Sequence, residues 1–250
     1  MPRDLQPCSD GSQNHLFTPV PDRRNKVFCQ RCLQVTKIVV IPDEPDPAPP
    51  PIEETRPRFT YHANGVNDTA ALQNFLNTLP GGCICRINGE AAIGSAGLSI
   101  SGLSNVKFIS SFDGGFKAIG DEIYGTPYSS LLYFNHTMDI EIYSVNFDMS
   151  GKQAQAVFFH NSTRPRILHC QIKDIRHNPS GAPFAAIKAD ACEEPEIGFN
   201  EIINLTGEEG GEGVRGIWAG VGNEFSVKPY IHDNIVRNPG HTGIITESSG

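Results

Sequence analysis

Four residues near the N-terminus have the types and the spacing of a zinc site. Cys8 and His15 precede Cys29 and Cys32, which gives the pattern C-x6-H-x13-C-x2-C. A structural zinc ion takes four nitrogen or sulfur ligands, and two thiolates separated by two residues can reach one ion. About 40 residues bury too small a core to fold alone, so metal binding would supply folding free energy. We predict a closed, structural zinc site formed by these four residues.

The same segment resembles the small zinc knuckles and ribbons of bacterial and phage proteins. In these a Cys and a His are followed by an aromatic residue, here Phe17, and by a Phe-Cys-x-x-Cys hairpin, here at 28–32. The alternative is a redox or disulfide function for the CxxC pair. A thioredoxin-type site needs a strand that runs into a helix, whereas residues 33–38 alternate like a strand.

A second set of residues that could do chemistry lies in the loops of the long C-terminal part. Asp174, Asn204 and Asn238 each stand seven residues after the start of a repeated strand motif, and a loop follows each of them. Such loops should stack at one edge and form a binding surface. To this surface we assign Asp174, Arg176, His177, Glu208, Glu209, Arg215 and His241, with Glu212 beside them.

Several interpretations of these loops stay open. An acidic pair would suit glycoside hydrolysis, and an Arg or Lys base with calcium-binding carboxylates would suit β-elimination of a uronate, but the spacing supports neither set. Alternatively, Asp174, Asn204 and Asn238 form only a ladder of turn residues, and 208–212 is a solvated loop. Trp218, the only Trp, is interpreted as core rather than as an outward platform for sugar stacking.

Composition limits the class of protein. The 250 residues carry a net charge of −8, 38% are hydrophobic, and 25 Gly and 19 Pro indicate many turns rather than long helices. The sequence has no apolar run long enough for a membrane span, and Met1-Pro2-Arg3-Asp4 opens no secretory signal. We therefore expect a soluble chain that folds in the cytoplasm, without a signal peptide or membrane insertion.

Charge and proline divide the chain into three segments. Residues 1–41 carry a charge of +3, residues 42–57 carry −4, and residues 58–250 carry −7. The middle segment has seven Pro in sixteen positions, which favours an extended spacer, although such segments also bind SH3-like partners. We predict a zinc-knuckle module, a Pro-rich acidic linker and one long domain. The negative charge of that domain argues against nucleic acid as its ligand.

The cysteines argue against a disulfide framework. There are seven, an odd number, and three of them belong to the predicted zinc site. We expect the others to be free, buried thiols of a protein that folds in a reducing compartment. These are Cys83, Cys85, Cys170 and Cys192.

The long domain begins with one predicted helix and continues with short strands. Asn67-Asp68-Thr69 offers N-caps, and the apolar positions 72, 75, 76 and 79 have helical spacing before Pro80-Gly81-Gly82 ends the run. A motif then recurs in which apolar residues flank a bend residue, with a weaker first copy at Val106, Ile109 and Ser111. The full copies are Ile140, Tyr143 and Val145; Ile167, Cys170 and Ile172; Ile197, Asn200 and Ile202; and Ile231, Asn234 and Val236.

Another short apolar run precedes each full copy, at 131–134, 157–159, 185–188 and 216–219. Two or three short strands per repeat, joined by loops of variable length, predict a parallel β-helix rather than a sandwich or propeller. The α-helix would cover one end of it. A further strand at 243–247 leaves the other end open, so we expect either a fragment or an end that a partner chain covers.

Residues 65–76, followed by Pro80-Gly81-Gly82, resemble the opening motif of the pectate-lyase-like right-handed β-helix superfamily, Gly-Val-x-Asp-Asp-Thr-x-Ala-Leu-Gln. The Ile-x-x-Asn-x-Ile repeats are similar to the coils of that family, although 83–89 departs from its usual Pro-x-Gly-x-Tyr. The resemblance covers 58–250 and implies an all-β, right-handed parallel β-helix with an N-terminal capping helix. It does not specify an activity, because the fold serves lyases, hydrolases, tailspikes and purely structural virion parts.

The order of the modules, together with this resemblance, leads to one main hypothesis. The chain is expected to be a phage-type tail fibre or tailspike in the virion, with a zinc-stabilised docking module and a β-helix that recognises a polysaccharide. We expect it to assemble as a homotrimer with other virion proteins as partners. The first alternative is a pectate-lyase-like polysaccharide lyase or glycoside hydrolase. The second is a non-catalytic structural or decoration protein.

Overall fold

The computed structural model describes residues 55–120, 129–176, 185–207, 213–220, 226–240 and 242–246, and the backbone of three strands before them. The chain divides into two compact units, residues 1–55 and 56–250. The finer division at residues 41 and 57 stays a prediction.

The N-terminal unit contains a three-stranded antiparallel sheet. Its strands are β1 (Phe17–Pro19), β2 (Lys26–Cys29) and β3 (Val35–Lys37), with β2 in the centre. Phe17 pairs with Cys29, and Lys26 pairs with Lys37. The strand predicted within 33–38 is therefore present as β3, and the CxxC pair begins at the last residue of β2.

The second unit is a parallel β-helix with one α-helix, which confirms the predicted fold class; its right-handed sense stays a prediction. The elements in chain order are β4 (Arg58–His62), α1 (Thr69–Asn77), β5 (Ile84–Asn88), β6 (Glu90–Ile93), β7 (Leu98–Ser101), β8 (Lys107–Ser110), β9 (Gly115–Ala118), β10 (Ser130–Asn135), β11 (Glu141–Tyr143), β12 (Asn146–Lys152), β13 (Gln155–His160), β14 (Arg166–Leu168), β15 (Gln171–Arg176), β16 (Ala185–Asp190), β17 (Glu196–Gly198), β18 (Glu201–Thr206), β19 (Arg215–Ala219), β20 (Tyr230–His232), β21 (Ile235–Arg237) and β22 (Ile244–Thr246).

These strands form three parallel sheets, because from β5 onwards each strand pairs with the third strand after it. Sheet 1 has the order β7-β10-β13-β16-β19-β22, sheet 2 the order β4-β5-β8-β11-β14-β17-β20, and sheet 3 the order β6-β9-β12-β15-β18-β21. One strand of each sheet makes one coil, so residues that are equivalent in successive coils form rows along the axis. The apolar runs predicted before each motif are the strands of sheet 1.

The inward rows form the core. In sheet 2 the row contains Ile142, Ile167, Ile197 and Ile231, and in sheet 3 it contains Phe147, Ile172, Ile202 and Val236.

This register corrects two motif positions. Ile142, not Ile140, pairs with Ile167, and Phe108, not Val106, pairs with Ile142. The Ile140 copy and the first position of the Val106 copy are thus predicted two residues too early. The direction of side chains along a strand repeats every two residues, so a shift of two keeps the apolar side chains on the inward face. Such a shift cannot be detected from the alternation of apolar residues alone.

Helix α1 covers the first coil, as predicted. Leu72 and Leu76 are buried, and the Gln73 side chain pairs with the edge strand β7 as a neighbouring strand would: its Nε2 donates to the Ser99 carbonyl at 2.8 Å, and its Oε1 accepts from the Ser99 N–H at 2.8 Å. This contact occupies groups that an open edge would leave unpaired. In the described part of the chain, no helix has the length and apolarity needed to cross a membrane.

Asp68 is the N-cap residue of α1, one of the three candidates that the sequence offers, but its side chain makes no capping hydrogen bond with the helix. Its buried carboxylate instead accepts hydrogen bonds from the Asn64, Gly65 and Ala92 N–H groups and from the Tyr61 hydroxyl, at 2.9–3.1 Å. Burial opposes ionisation, but these four donors outweigh it and lower the pKa of Asp68. The carboxylate thus ties the helix entry to β6.

We expect Asp68→Asn to destabilise the second unit by roughly 3 kcal/mol at pH 7, because a neutral amide cannot replace an acceptor of four hydrogen bonds. A lowered folded-state pKa stabilises the fold above the ordinary pKa of about 3.9, and this stabilisation disappears as pH falls through the folded-state value. Urea unfolding at pH 7 and at pH 3 should show that the difference between variant and wild type shrinks in acid. Asp113→Asn, at an exposed position, is the control. If Asp68→Asn lowers the free energy of unfolding equally at both pH values, the charge of Asp68 does not have this role.

The four cysteines of the second unit are free and buried, as predicted. Burial raises the pKa of Cys85, Cys170 and Cys192 to about 12. Thiols with such pKa values carry almost no thiolate at neutral pH, so they contribute packing rather than reactivity.

Candidate functional site

The predicted binding edge is described only in part. His177, Glu208, Glu209 and His241 lie outside the described residues, as does Glu212. The described members are Asp174, Arg176 and Arg215, on β15 and β19. Their assignment to substrate binding stays a prediction.

Asp174 belongs to a ladder of polar side chains on successive coils. The Asn204 amide donates to its Oδ1 at 3.0 Å, and the Asn238 amide donates to Asn204 at 3.4 Å. All three residues have φ between 50° and 61°, the left-handed conformation that Asn and Asp adopt most readily among non-glycine residues. The predicted ladder of side chains is therefore present, although Asp174 and Asn204 lie within β15 and β18 and not in turns.

Arg176 and Arg215 have different surroundings. Arg176 ends β15 and pairs in register with Thr206, whereas the Arg215 guanidinium lies 4.2 Å from the centre of the Trp218 ring. Trp218 is buried, as predicted, and pairs in register with Lys188 in the outward row of sheet 1. It therefore lies on a buried outer face of this sheet, outside the main apolar cluster.

The predicted zinc ligands cannot be placed. Cys8, His15 and Cys32 lie outside the described residues, and of Cys29 only the backbone is described.

A cleft lies on the outer face of sheet 3. Its volume is about 150 Å³, and it crosses strands β6, β9, β12 and β15. Its polar lining consists of Glu90, Asp113, Asn146, Asp148, Gln171 and Lys173. We call this the sheet-3 cleft.

The cleft exists because one row position lacks a side chain. Glu90, Gly115, Asn146 and Gln171 are in register, and Gly115 has φ 151°. A Cβ at Gly115 would overlap the Asn146 carbonyl oxygen. The glycine thus permits close approach of the backbones and leaves a gap in the outward row between Glu90 and Asn146.

Two ion pairs set the electrostatics of the cleft. Lys173 Nζ lies 3.1 Å from Asp148 Oδ2, and Lys117 Nζ lies 3.4 Å from Glu90 Oε1. Burial disfavours the charge on Asp148, but hydrogen bonds from Lys173 and Ser150 outweigh it and lower the pKa of Asp148. The hydrogen bond to Asp148 raises the pKa of Lys173. At neutral pH both groups of this pair are therefore charged.

This arrangement suits binding better than proton transfer. A general acid needs a raised carboxyl pKa and a lysine base needs a lowered one, whereas Asp148 and Lys173 shift the other way. Among the described residues no group of three or more His, Cys, Asp and Glu side chains could hold a metal ion. The cleft offers charged and amide groups that can hydrogen-bond to hydroxyl groups of a ligand.

The sequence analysis does not identify these residues, although a signal is present. The third strand of successive coils begins with a polar-apolar-polar triplet, Asn146-Phe147-Asp148 and Gln171-Ile172-Lys173. Of the inward residues, Ile172 was recognised but Phe147 was not, because that copy of the motif was placed two residues too early. The outward residues of the triplets were not followed from coil to coil.

Comparisons with known proteins found only weak structural similarity. No protein-family model and no curated protein sequence matches the chain. A crystal structure of a "putative glycosyl hydrolase" from Parabacteroides merdae is similar with a TM-score of 0.47 and 13% identity, over 71% of this chain and 97% of that one. ORF18 of Geobacillus virus E2 is similar with a TM-score of 0.38 and 12% identity, over 72% of this chain and 47% of that one. Similarity at this level carries no argument about function.

Proposed function

We propose that this protein recognises a polysaccharide through the sheet-3 cleft, as part of a phage-type tail fibre or tailspike. The observation that carries the proposal is the alignment of polar groups across successive coils of the cleft. Equivalent residues of neighbouring strands are about 4.8 Å apart, so Asn146 and Gln171 present amide groups at a regular spacing along the axis. A linear polymer with repeating hydroxyl groups is the kind of ligand that such a row fits.

The charged pair supports recognition rather than cleavage. Asp148 and Lys173 hold each other in their ionised forms, which gives a fixed acceptor and a fixed donor. A site of this kind orients a ligand without exchanging protons with it.

The proposal for the virion is supported by the order of the modules. A small N-terminal unit with its own antiparallel sheet and a Pro-rich segment precede the β-helix. We propose that the N-terminal unit docks to other virion proteins and that the protein is a homotrimer. Light scattering tests the assembly, and a monomer would count against both the tailspike and the decoration-protein hypotheses.

The test of recognition is a panel of bacterial and plant polysaccharides, with binding measured by calorimetry. We expect Lys173→Met to weaken binding of the recognised polymer about tenfold, which corresponds to about 1.4 kcal/mol, because it removes a donor and leaves Asp148 without its counter-charge. Lys228→Met is the matched control, since Lys228 forms a similar ion pair of 3.0 Å with Glu194 on the exposed surface. Unchanged affinity of the Lys173 variant would refute the assignment of the cleft.

Mass spectrometry of the same mixtures separates recognition from catalysis. We expect polymers to be bound and not shortened. Products with an added water would instead indicate a hydrolase, and products with unsaturated ends a lyase. If the proteins neither bind nor shorten any polymer, a structural virion role is the better hypothesis.

A further inference from the structure

The outer face of sheet 1 carries a second buried cluster outside the core. Tyr133, Phe158, Lys188 and Trp218 are in register on successive strands and are at most 7% exposed. Their neighbours along each strand point into the core, so this row points away from it. Outward residues of a sheet are ordinarily partly exposed, as Glu141 and Arg166 are on sheet 2.

Two cations surround the indole ring in this cluster. Lys188 Nζ lies 4.9 Å from the centre of the Phe158 ring and 5.1 Å from that of Trp218, and it forms an ion pair of 2.9 Å with buried Asp190. The Arg215 guanidinium lies 4.2 Å from the Trp218 ring centre. Lys188 thus has its counter-charge, whereas Arg215 makes no ion pair with any residue that the structure describes.

Three donors in this cluster have no acceptor. Trp218 Nε1 and the Nε and Nη1 atoms of Arg215 are buried and make no hydrogen bond within the described chain. Trp218 is itself only 5% exposed. Buried polar atoms are normally paired, and indole and guanidinium groups can only donate. The missing partner is therefore an acceptor. Because the Arg215 guanidinium has no ion-pair partner among the described residues, an anion is the most favourable acceptor.

We propose that Arg215 and Trp218 form an oxyanion site that binds the carboxylate of an acidic sugar. A guanidinium can hold a carboxylate with two parallel N–H bonds, and the indole N–H supplies a third donor. Arg215 as a whole is only partly buried, so the site lies close to the surface. The inference rests on the proposed function, in that it names the class of polysaccharide as acidic, but its residues are separate from the sheet-3 cleft.

Trp218 makes the site observable, because it is the only Trp of the chain. We expect glucuronate to change the Trp fluorescence of the full-length protein in a saturable manner, and glucose at the same concentrations to leave it unchanged. Arg215→Gln should weaken glucuronate binding at least tenfold, while Arg86→Gln, an exposed position on β5, should leave it unchanged. Trp218→Phe keeps an aromatic ring but lacks the N–H, and calorimetry should show weaker binding.

Several results would overturn the inference. An equal response to glucose would exclude recognition of the carboxylate, and sulfate that binds as tightly as glucuronate would indicate a site for a free inorganic anion rather than for a sugar. Glucuronate binding that survives Arg215→Gln unchanged would place the site elsewhere. If polymers bind but the Trp218 fluorescence does not respond to glucuronate, this inference fails and the proposed function stands. If glucuronate binds as described but no polymer binds, the proposed function fails and the oxyanion site stands.

Discussion

Replacing Asn200 by Ala is expected to destabilise the β-helix by about 3–4 kcal/mol, a large fraction of the stability of a typical domain. Asn200 is buried, and its side chain makes three hydrogen bonds. Its Nδ2 donates to the Ile167 carbonyl and to Asn234 Oδ1, both at 2.9 Å, and its Oδ1 accepts from the Cys170 N–H at 3.0 Å. Alanine removes all three bonds and leaves buried groups of two neighbouring coils without these partners.

The measurement is urea unfolding followed by circular dichroism, with unchanged m-value as evidence that the variant still unfolds as the same unit. Asn88→Ala is the matched control, because Asn88 makes one exposed hydrogen bond to His62 at 3.1 Å, and it should cost less than about 1 kcal/mol. If the two variants lose similar amounts of stability, the Asn200 hydrogen bonds do not join the coils as argued.

Removal of zinc is expected to unfold the N-terminal unit and leave the β-helix folded. We propose that Cys8, His15, Cys29 and Cys32 bind one zinc ion per chain. The β-sheet of this unit has only three short strands, and structural zinc contributes about 10–16 kcal/mol in zinc-finger peptides at pH 7. The pairing of Phe17 with Cys29 supports the proposal, because His15 is two residues from Phe17 and the chain between them can span no more than about 7 Å.

Native mass spectrometry gives the zinc content, and hydrogen exchange gives the protection of β1, β2 and β3 before and after chelation. Cys29→Ser should lose both zinc and protection, while Cys83→Ser, which alters a thiol of the β-helix unit, should keep both. Purified protein without zinc, or Cys29→Ser with a full complement of zinc, would refute the site.

Helix α1 shows how far local sequence predicts this fold. The spacing of Leu72 and Leu76 predicted the helix and its buried face, and both were confirmed because helical periodicity depends only on neighbours within two turns. The role of Asp68 was missed. Its partners include Ala92, 24 residues away, and such a contact has no trace in the helix sequence.

In the β-helix, the pattern of apolar residues predicts the inward rows but not the register between coils. Repeated isoleucines predicted inward rows, which the structure confirms at Ile167, Ile197 and Ile231. The register of the first copies was wrong by two residues, since apolar alternation is unchanged by that shift. Pairing across coils 25–34 residues apart decides the register, and only the assembled coils contain it.

The sequence by itself thus determined the class of fold, the capping helix, the buried thiols and the ladder of polar side chains, because each follows from the type and local spacing of residues. The tertiary structure decided both candidate sites. The sheet-3 cleft depends on Gly115 lying between Glu90 and Asn146. The buried cluster on the outer face of sheet 1 depends on Trp218 and Lys188 being neighbours there. Outward residues do not have to be apolar, so the sequence pattern does not identify them. Which of them form a site is decided only when successive coils place them side by side.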